Sequence, residues 1–185
     1  FAIKAFRKIP KDKMGIVIVS GLIGNFIPAY LFCIAETRID SALAGILNSL
    51  TPLFTILVGI VFYKTQTTTI KFLGILIGFV GLTFLLLTGK EMHFENLSYA
   101  SLVLFATMMY GINVHTVGRN LKEIGSIQIA SVAFSFLILP SAAVLFFTGF
   151  FENNFSDPLV IHSIVTSAIL GMVGTSMASI LFYYL

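Results

Sequence analysis

The stretch MGIVIVSGLIGNFIPAYLFCIA, residues 14–35, contains 22 positions without a formal charge. At ~1.5 Å of rise per residue such a helix reaches about 33 Å, enough to cross a hydrocarbon layer of ~30 Å. A soluble protein that buried this stretch would need polar surface elsewhere to cover its core. That surface is missing: 57% of the 185 residues are hydrophobic, 10% are charged and the mean hydropathy is +1.00, whereas roughly a quarter of an ordinary soluble domain is charged. The solvent implied by the composition is a lipid bilayer.

Outward from this stretch, the 11 basic and 8 acidic residues fall into a few clusters. Between them lie uncharged runs at 14–35, 41–63, 72–89, 96–118, 124–151 and 158–185. Backbone groups in lipid must be satisfied within the segment, and the period-2 alternation of a membrane barrel is absent, so the runs are expected to be helices. The expected fold is an all-α, polytopic transmembrane helix bundle. Its six spans are placed at about 14–35, 41–63, 68–89, 97–118, 126–150 and 159–185.

Taking loops alternately, one side carries Lys4, Arg7, Lys8, Lys11, Lys13, Lys64, Lys71, Arg119 and Lys122, and the other only Arg38 and Lys90. This asymmetry predicts an N-terminus in the cytoplasm. The sparse opposite side holds Glu36, Asp40, Glu91, Glu95, Glu152 and Asp157, together with the Asn-x-Ser sequons at Asn96 and Asn154. Such short patterns recur by chance.

The net charge of +3 is spent on orientation rather than on a basic and aromatic recognition surface, so no nucleic-acid partner is expected. The lone Cys33 has no disulfide partner in the chain and is expected to be a small buried hydrophobe. Cys33, His115 and His162 lie on different spans without metal-ligand spacing. No nucleophile with its base and no cluster of carboxylates occurs. The expectation is a protein that is not an enzyme, with no catalytic residues, metal or cofactor.

GLIGNFIPAYLF at 21–32 aligns without a gap on GMVGTSMASILF at 171–182, with four identities. The first copy lies in a span running outward and the second in one running inward. Five helices of offset between opposed copies make an inverted repeat, the arrangement with which many carriers build a midplane site.

The segment Asp40-Ser-Ala-Leu-Ala-Gly-Ile-Leu-Asn-Ser-Leu-Thr-Pro52, followed by Gly74 and Gly81 in the next helix, resembles the signature of the EamA-like permeases of the drug/metabolite transporter superfamily. The resemblance implies a ten-helix fold of two inverted five-helix repeats, of which this chain is similar to helices three to eight. Residues 1–89 then correspond to the later part of the first repeat and 96–185 to the early part of the second. Phe1 and the apolar Leu185 fit a chain cut from that longer fold. Where the family has a Gly-Glu-Arg turn, this chain reads Lys64-Thr65-Gln66, so the role of that glutamate is not carried over.

No Asp, Glu, Lys or Arg lies within the six uncharged runs, leaving neutral groups as candidate solute contacts. Ser41, Gly45, Asn48, Pro52, Thr55 and Gly59 follow steps of four and three and share one helical face. Pro52 cannot donate to the carbonyl of Asn48, so a kink is expected to free an acceptor at mid-depth. Two readings stand here: a polar cavity, or close helix packing by small residues.

Gly21, Asn25 and Pro28 form a second such face, with Asn25 matched to Thr175 through the repeat, and Tyr110 and Asn113 meet on the fourth span. Gly74, Gly78 and Gly81, and the stripe Ser163, Ser167, Gly171, Gly174 and Ala178, read as packing faces. His115 and His162 read as solvated at the interface. The candidate substrate-binding set is therefore Asn25, Asn48, Pro52, Tyr110 and Asn113.

The resemblance implies secondary transport of small organic solutes, metabolite, amino acid or drug, by alternating access. The direction expected is efflux, and the membrane expected is the bacterial inner membrane. The partners expected are a small-molecule substrate and the bilayer. The competing class is a membrane-embedded structural or assembly protein that uses its spans for packing alone.

Overall fold

The computed structural model describes residues 6–66, 68–88, 97–153 and 155–177. The sequons at Asn96 and Asn154, the loop charges Lys90, Glu91 and Glu95, and the end of the second repeat copy from Ala178 onward lie outside the described residues, as does the side chain of Thr175. Among the described residues every regular element is helical. The elements are α1 (Lys11–Gly21), a π-helical turn (Leu22–Phe26), α2 (Ile27–Ala35), α3 (Ser41–Asn48), α4 (Thr51–Tyr63), α5 (Thr69–Thr88), α6 (Leu97–Asn120), α7 (Ser126–Phe147) and α8 (Pro158–Ile169). A 3-10 turn (Phe150–Glu152) precedes α8, and a second π-helical segment (Leu170–Met177) follows it.

Four helical stretches have the length and apolarity to cross a membrane: Lys11–Ala35, Ser41–Tyr63, Leu97–Asn120 and Ser126–Phe147. They coincide with four of the six expected spans. Thr69–Gly81 and Pro158–Gly174 are shorter apolar stretches. The first belongs to α5, whose 20 residues rise about 30 Å. Large apolar side chains stand outward along these helices, with Ile77 72%, Leu139 75% and Phe147 85% exposed. In water that would be an aggregating surface; in a bilayer it is the face lipid covers.

The charge clusters that divide the spans also supply their caps. Asp40 is extended (φ −65°, ψ 140°) and its Oδ1 accepts from the Ala42 N–H at 2.7 Å, starting α3. Asp157 does the same for α8, accepting from the Leu159 N–H at 2.9 Å with Pro158 in the first turn. These carboxylates satisfy backbone donors that would otherwise be orphaned at a helix start. The end of α7 comes at Thr148, followed by Gly149 at φ 69°, a left-handed position natural to glycine.

The chain divides into two compact units, Val19–Lys122 and the pair Phe1–Ile18 with Glu123–Leu185. In the first, α6 is the central helix, contacted by α2, α3 and α4. At one end Ala35, Ile39, Ala44, Leu47, Ala100 and Val103 form a buried cluster flanked by Phe32, Leu43 and Tyr99. Further along, Gly111 lets the backbones of α6 and α4 meet: a Cβ there would lie 3.0 Å from Thr55 Cα. Small residues permit this approach in lipid, where dispersion rather than hydrophobic exclusion holds helices together. In the second unit the ring of Phe6 lies 5.7 Å from that of Phe136.

Two of the four long stretches are not continuous α-helices. In the first, the Ile27 N–H reaches the Leu22 carbonyl, the five-residue closure of a π turn. Pro28, buried, lies just beyond; it has no N–H to offer and its ring crowds the preceding turn. In the second, α3 and α4 are separated at Ser49 and Leu50, again just before a proline, Pro52. The other π-helical segment, Leu170–Met177, contains the positions 172–176 that the repeat alignment pairs with 22–26.

Candidate functional site

The first polar cluster is built where the π turn meets α6. Ser20, 4% exposed at the end of α1, donates from Oγ to Asn113 Oδ1 at 2.7 Å. Gly24, one turn further on, leaves the room Asn113 occupies: a Cβ on Gly24 would fall within the Asn113 amide. Asn25 is half-buried in the same π turn, and Tyr110, half-buried, precedes Asn113 by three positions on α6. Among the described residues, the side chains of Asn25 and Tyr110 and the amide nitrogen of Asn113 make no hydrogen bond. Ser20 and Asn113 are in direct contact, while Asn25 and Tyr110 stand on the same two elements with hydrogen-bonding capacity unused.

Asn48 and Pro52 stand at the break of the second span, and both are exposed. The carbonyl expected to be freed there is covered: Thr51 Oγ1 donates to Asn48 O at 2.7 Å and lies 3.3 Å from Asn48 Oδ1. The hydroxyl next to the proline replaces the donor that the proline lacks. The small-residue face of this span divides at Pro52. Ser41, Gly45, Asn48 and Pro52 are exposed, whereas Thr55 and Gly59 turn toward α6. A cleft of ≈340 Å³ adjoins the break, lined by Pro52, Leu53, Ile56, Lys71, Gly74 and Gly78 among others.

The packing expectations are corrected in part. Of the glycines on α5, Gly78 abuts the Leu53 side chain, while Gly74 and Gly81 face open space. Ser163, Ser167, Gly171 and Gly174 are exposed rather than packed. Cys33 is exposed, not buried. A helix in lipid gains little by turning apolar residues inward, and small residues help only where a neighbouring backbone approaches, so residue type alone does not select its buried face.

His115 is held rather than solvated. Its Nε2 lies 2.9 Å from the Thr55 carbonyl, which can only accept, so this nitrogen carries the proton. Its ring stacks on Tyr63 with centroids 4.8 Å apart, and the Tyr63 hydroxyl pairs with Thr116 Oγ1 at 3.2 Å. Gly59 makes room, since a Cβ would come within 2.7 Å of His115 Nε2. Beside this stack opens a cleft of ≈520 Å³ lined by Tyr63, Thr65, His115, Gly118, Arg119 and Lys122, among others.

Ser20, Gly24, Tyr63 and Thr116 were not singled out by sequence reasoning. Their partners lie 50 or more residues away, and a small polar residue in an apolar run carries no periodic signal of its own. Among the described residues no group of three or more His, Cys, Asp or Glu could hold a metal ion.

Interrupted helices with neutral polar groups are features that many membrane carriers share. Residues 1–87 match the model of the EamA-like transporter family. Over that part, a little under half of its length, the chain is similar to the EamA-like permeases of the drug/metabolite transporter superfamily, whose members are transporters rather than enzymes. No curated protein and no solved structure matches the chain.

Proposed function

We propose that this chain forms part of a secondary carrier that exports small organic solutes by alternating access, with Asn25, Asn48, Pro52, Tyr110 and Asn113 along the solute path. The observation that carries the reading is the cluster at the π turn. There, Asn25, Tyr110 and the Asn113 amide nitrogen retain hydrogen-bonding capacity inside apolar helices. At half-buried positions such as these, a solute or water can complete the unused hydrogen bonds.

Two further features support it. The interruptions of the first two spans lie beside a proline, and π-helical geometry recurs at the positions paired by the inverted repeat. The lysine and arginine asymmetry supports a cytoplasmic N-terminal side, and the family resemblance supports a bacterial inner membrane.

The test is flux into liposomes containing a full-length protein that carries this segment. Saturable uptake of a small metabolite, reduced in Asn48→Ala and Asn113→Ala at equal membrane abundance, is the expected result. Unchanged kinetics in a variant removes that residue from the path. The exposed stripe Ser163, Ser167, Gly171 and Gly174 favours a second reading, assembly against another helix. Absence of saturable flux across a broad solute panel would select it.

A further inference from the structure

The geometry points to an oxyanion site in the cleft beside the Tyr63 and His115 stack, shaped for a phosphate group carried either on a lipid headgroup or on a soluble molecule. The cleft, at ≈520 Å³, falls in the range of small-molecule pockets. Two of its lining residues are cations, Arg119 and Lys122, and among the described residues neither forms an ion pair or hydrogen bond. Arg119 presents a planar fork that matches phosphate oxygens in pairs, and Lys122 adds a mobile point charge.

The bland competing role for these cations is to offset helix dipoles, because α4 and α6 both end here. Each C-terminus carries about half a negative charge, together roughly one, against two full positive charges. The balance leaves the cleft attractive to an anion. The remaining lining fits that use. Thr65 contributes a hydroxyl, and the His115 ring, fixed through Nε2 to Thr55 and stacked on Tyr63, forms a rigid wall. Gly118 keeps the cleft open, since a Cβ there would meet nothing within 4 Å. Both cations belong to the side that the charge asymmetry assigns to the cytoplasm, where anionic headgroups concentrate.

This site is separate from the Asn113 cluster and does not depend on transport. Its test uses the full chain in phosphatidylcholine nanodiscs titrated with inorganic phosphate. A parallel arm uses chain extracted from vesicles of phosphatidylcholine and phosphatidylglycerol, with retained lipid counted by native mass spectrometry. Retention of phosphatidylglycerol alone assigns the headgroup source, and binding of inorganic phosphate the soluble one. Either supports the site if Arg119→Gln with Lys122→Gln weakens binding at least tenfold while Lys11→Gln with Lys13→Gln does not.

Gly118→Leu fills the cleft with both cations kept, and should weaken binding equally even if the double variant folds poorly. Binding of neither probe overturns the proposal. So does undiminished binding in Gly118→Leu, or equal loss in the Lys11 and Lys13 control.

Discussion

Ser20 Oγ donates to Asn113 Oδ1 at 2.7 Å, joining positions 93 residues apart through the space that Gly24 leaves empty. Such interhelical bonds in lipid average ~0.6 kcal/mol and reach about 1.7. Gly24→Ala should push the Asn113 amide aside and lose about this amount, measured as a shift in the denaturant midpoint in detergent. In an Asn113→Ala background the same substitution should be nearly neutral. A full additive loss in the double variant would show that Gly24 acts elsewhere.

Glycines on these helices should respond with opposite signs. Gly111→Ala would place a Cβ 3.0 Å from Thr55 Cα, and backbone cannot step aside as a side-chain end can. A loss of about 1–3 kcal/mol is expected. Gly118→Ala and Gly74→Ala meet open space and should be neutral or gain up to ~1 kcal/mol from helix propensity. Thermal unfolding of the three single variants distinguishes them.

Tyr63 makes two separable contacts. Tyr63→Phe removes only the 3.2 Å pairing with Thr116 and should lose about 0.5–1.5 kcal/mol. Tyr63→Leu also removes the stack on His115, adding roughly 0.5–1.5 kcal/mol. Equal losses in the two variants, read from chemical unfolding, would mean the stack contributes nothing.

The caps at Asp40 and Asp157 predict a selective pattern. Alanine at either position should cost about 0.5–2 kcal/mol, whereas asparagine, which caps as well, should cost little. Hydrogen exchange should locate the loss in the first turns of α3 and α8, and a loss spread evenly over the chain would argue against capping.

Much of the architecture can be read from the chain because charge is expensive in lipid: the clusters around Asp40, Lys64, Arg119 and Asp157 mark helix ends directly. Pro52 likewise announces an interruption in the second span. What happens at that interruption is not legible, because capture of the Asn48 carbonyl depends on the rotamer of Thr51. The hold on His115 escapes a one-helix reading, since Thr55 lies 60 residues away on α4. Asn113 stands out as a polar residue in an apolar span, but Ser20 does not, since serines are common there and only the packed pair distinguishes this one. Buried faces are hardest to foresee: with lipid as solvent, Cys33 and Ile77 gain nothing by being inside.

The π turn at Leu22–Phe26 behaves as a one-residue insertion absorbed without lengthening the span by a full turn. Deleting one residue there would restore an unbroken α-helix and leave everything beyond it in nearly the same register, because the wide turn already absorbs the extra residue. Ala35, buried against α3 and α6, would keep its place relative to Ser20, whereas a one-residue deletion in the regular helix of α2 would rotate it by about 100°. Chain length is therefore more forgiving through these five positions than in the regular helix on either side.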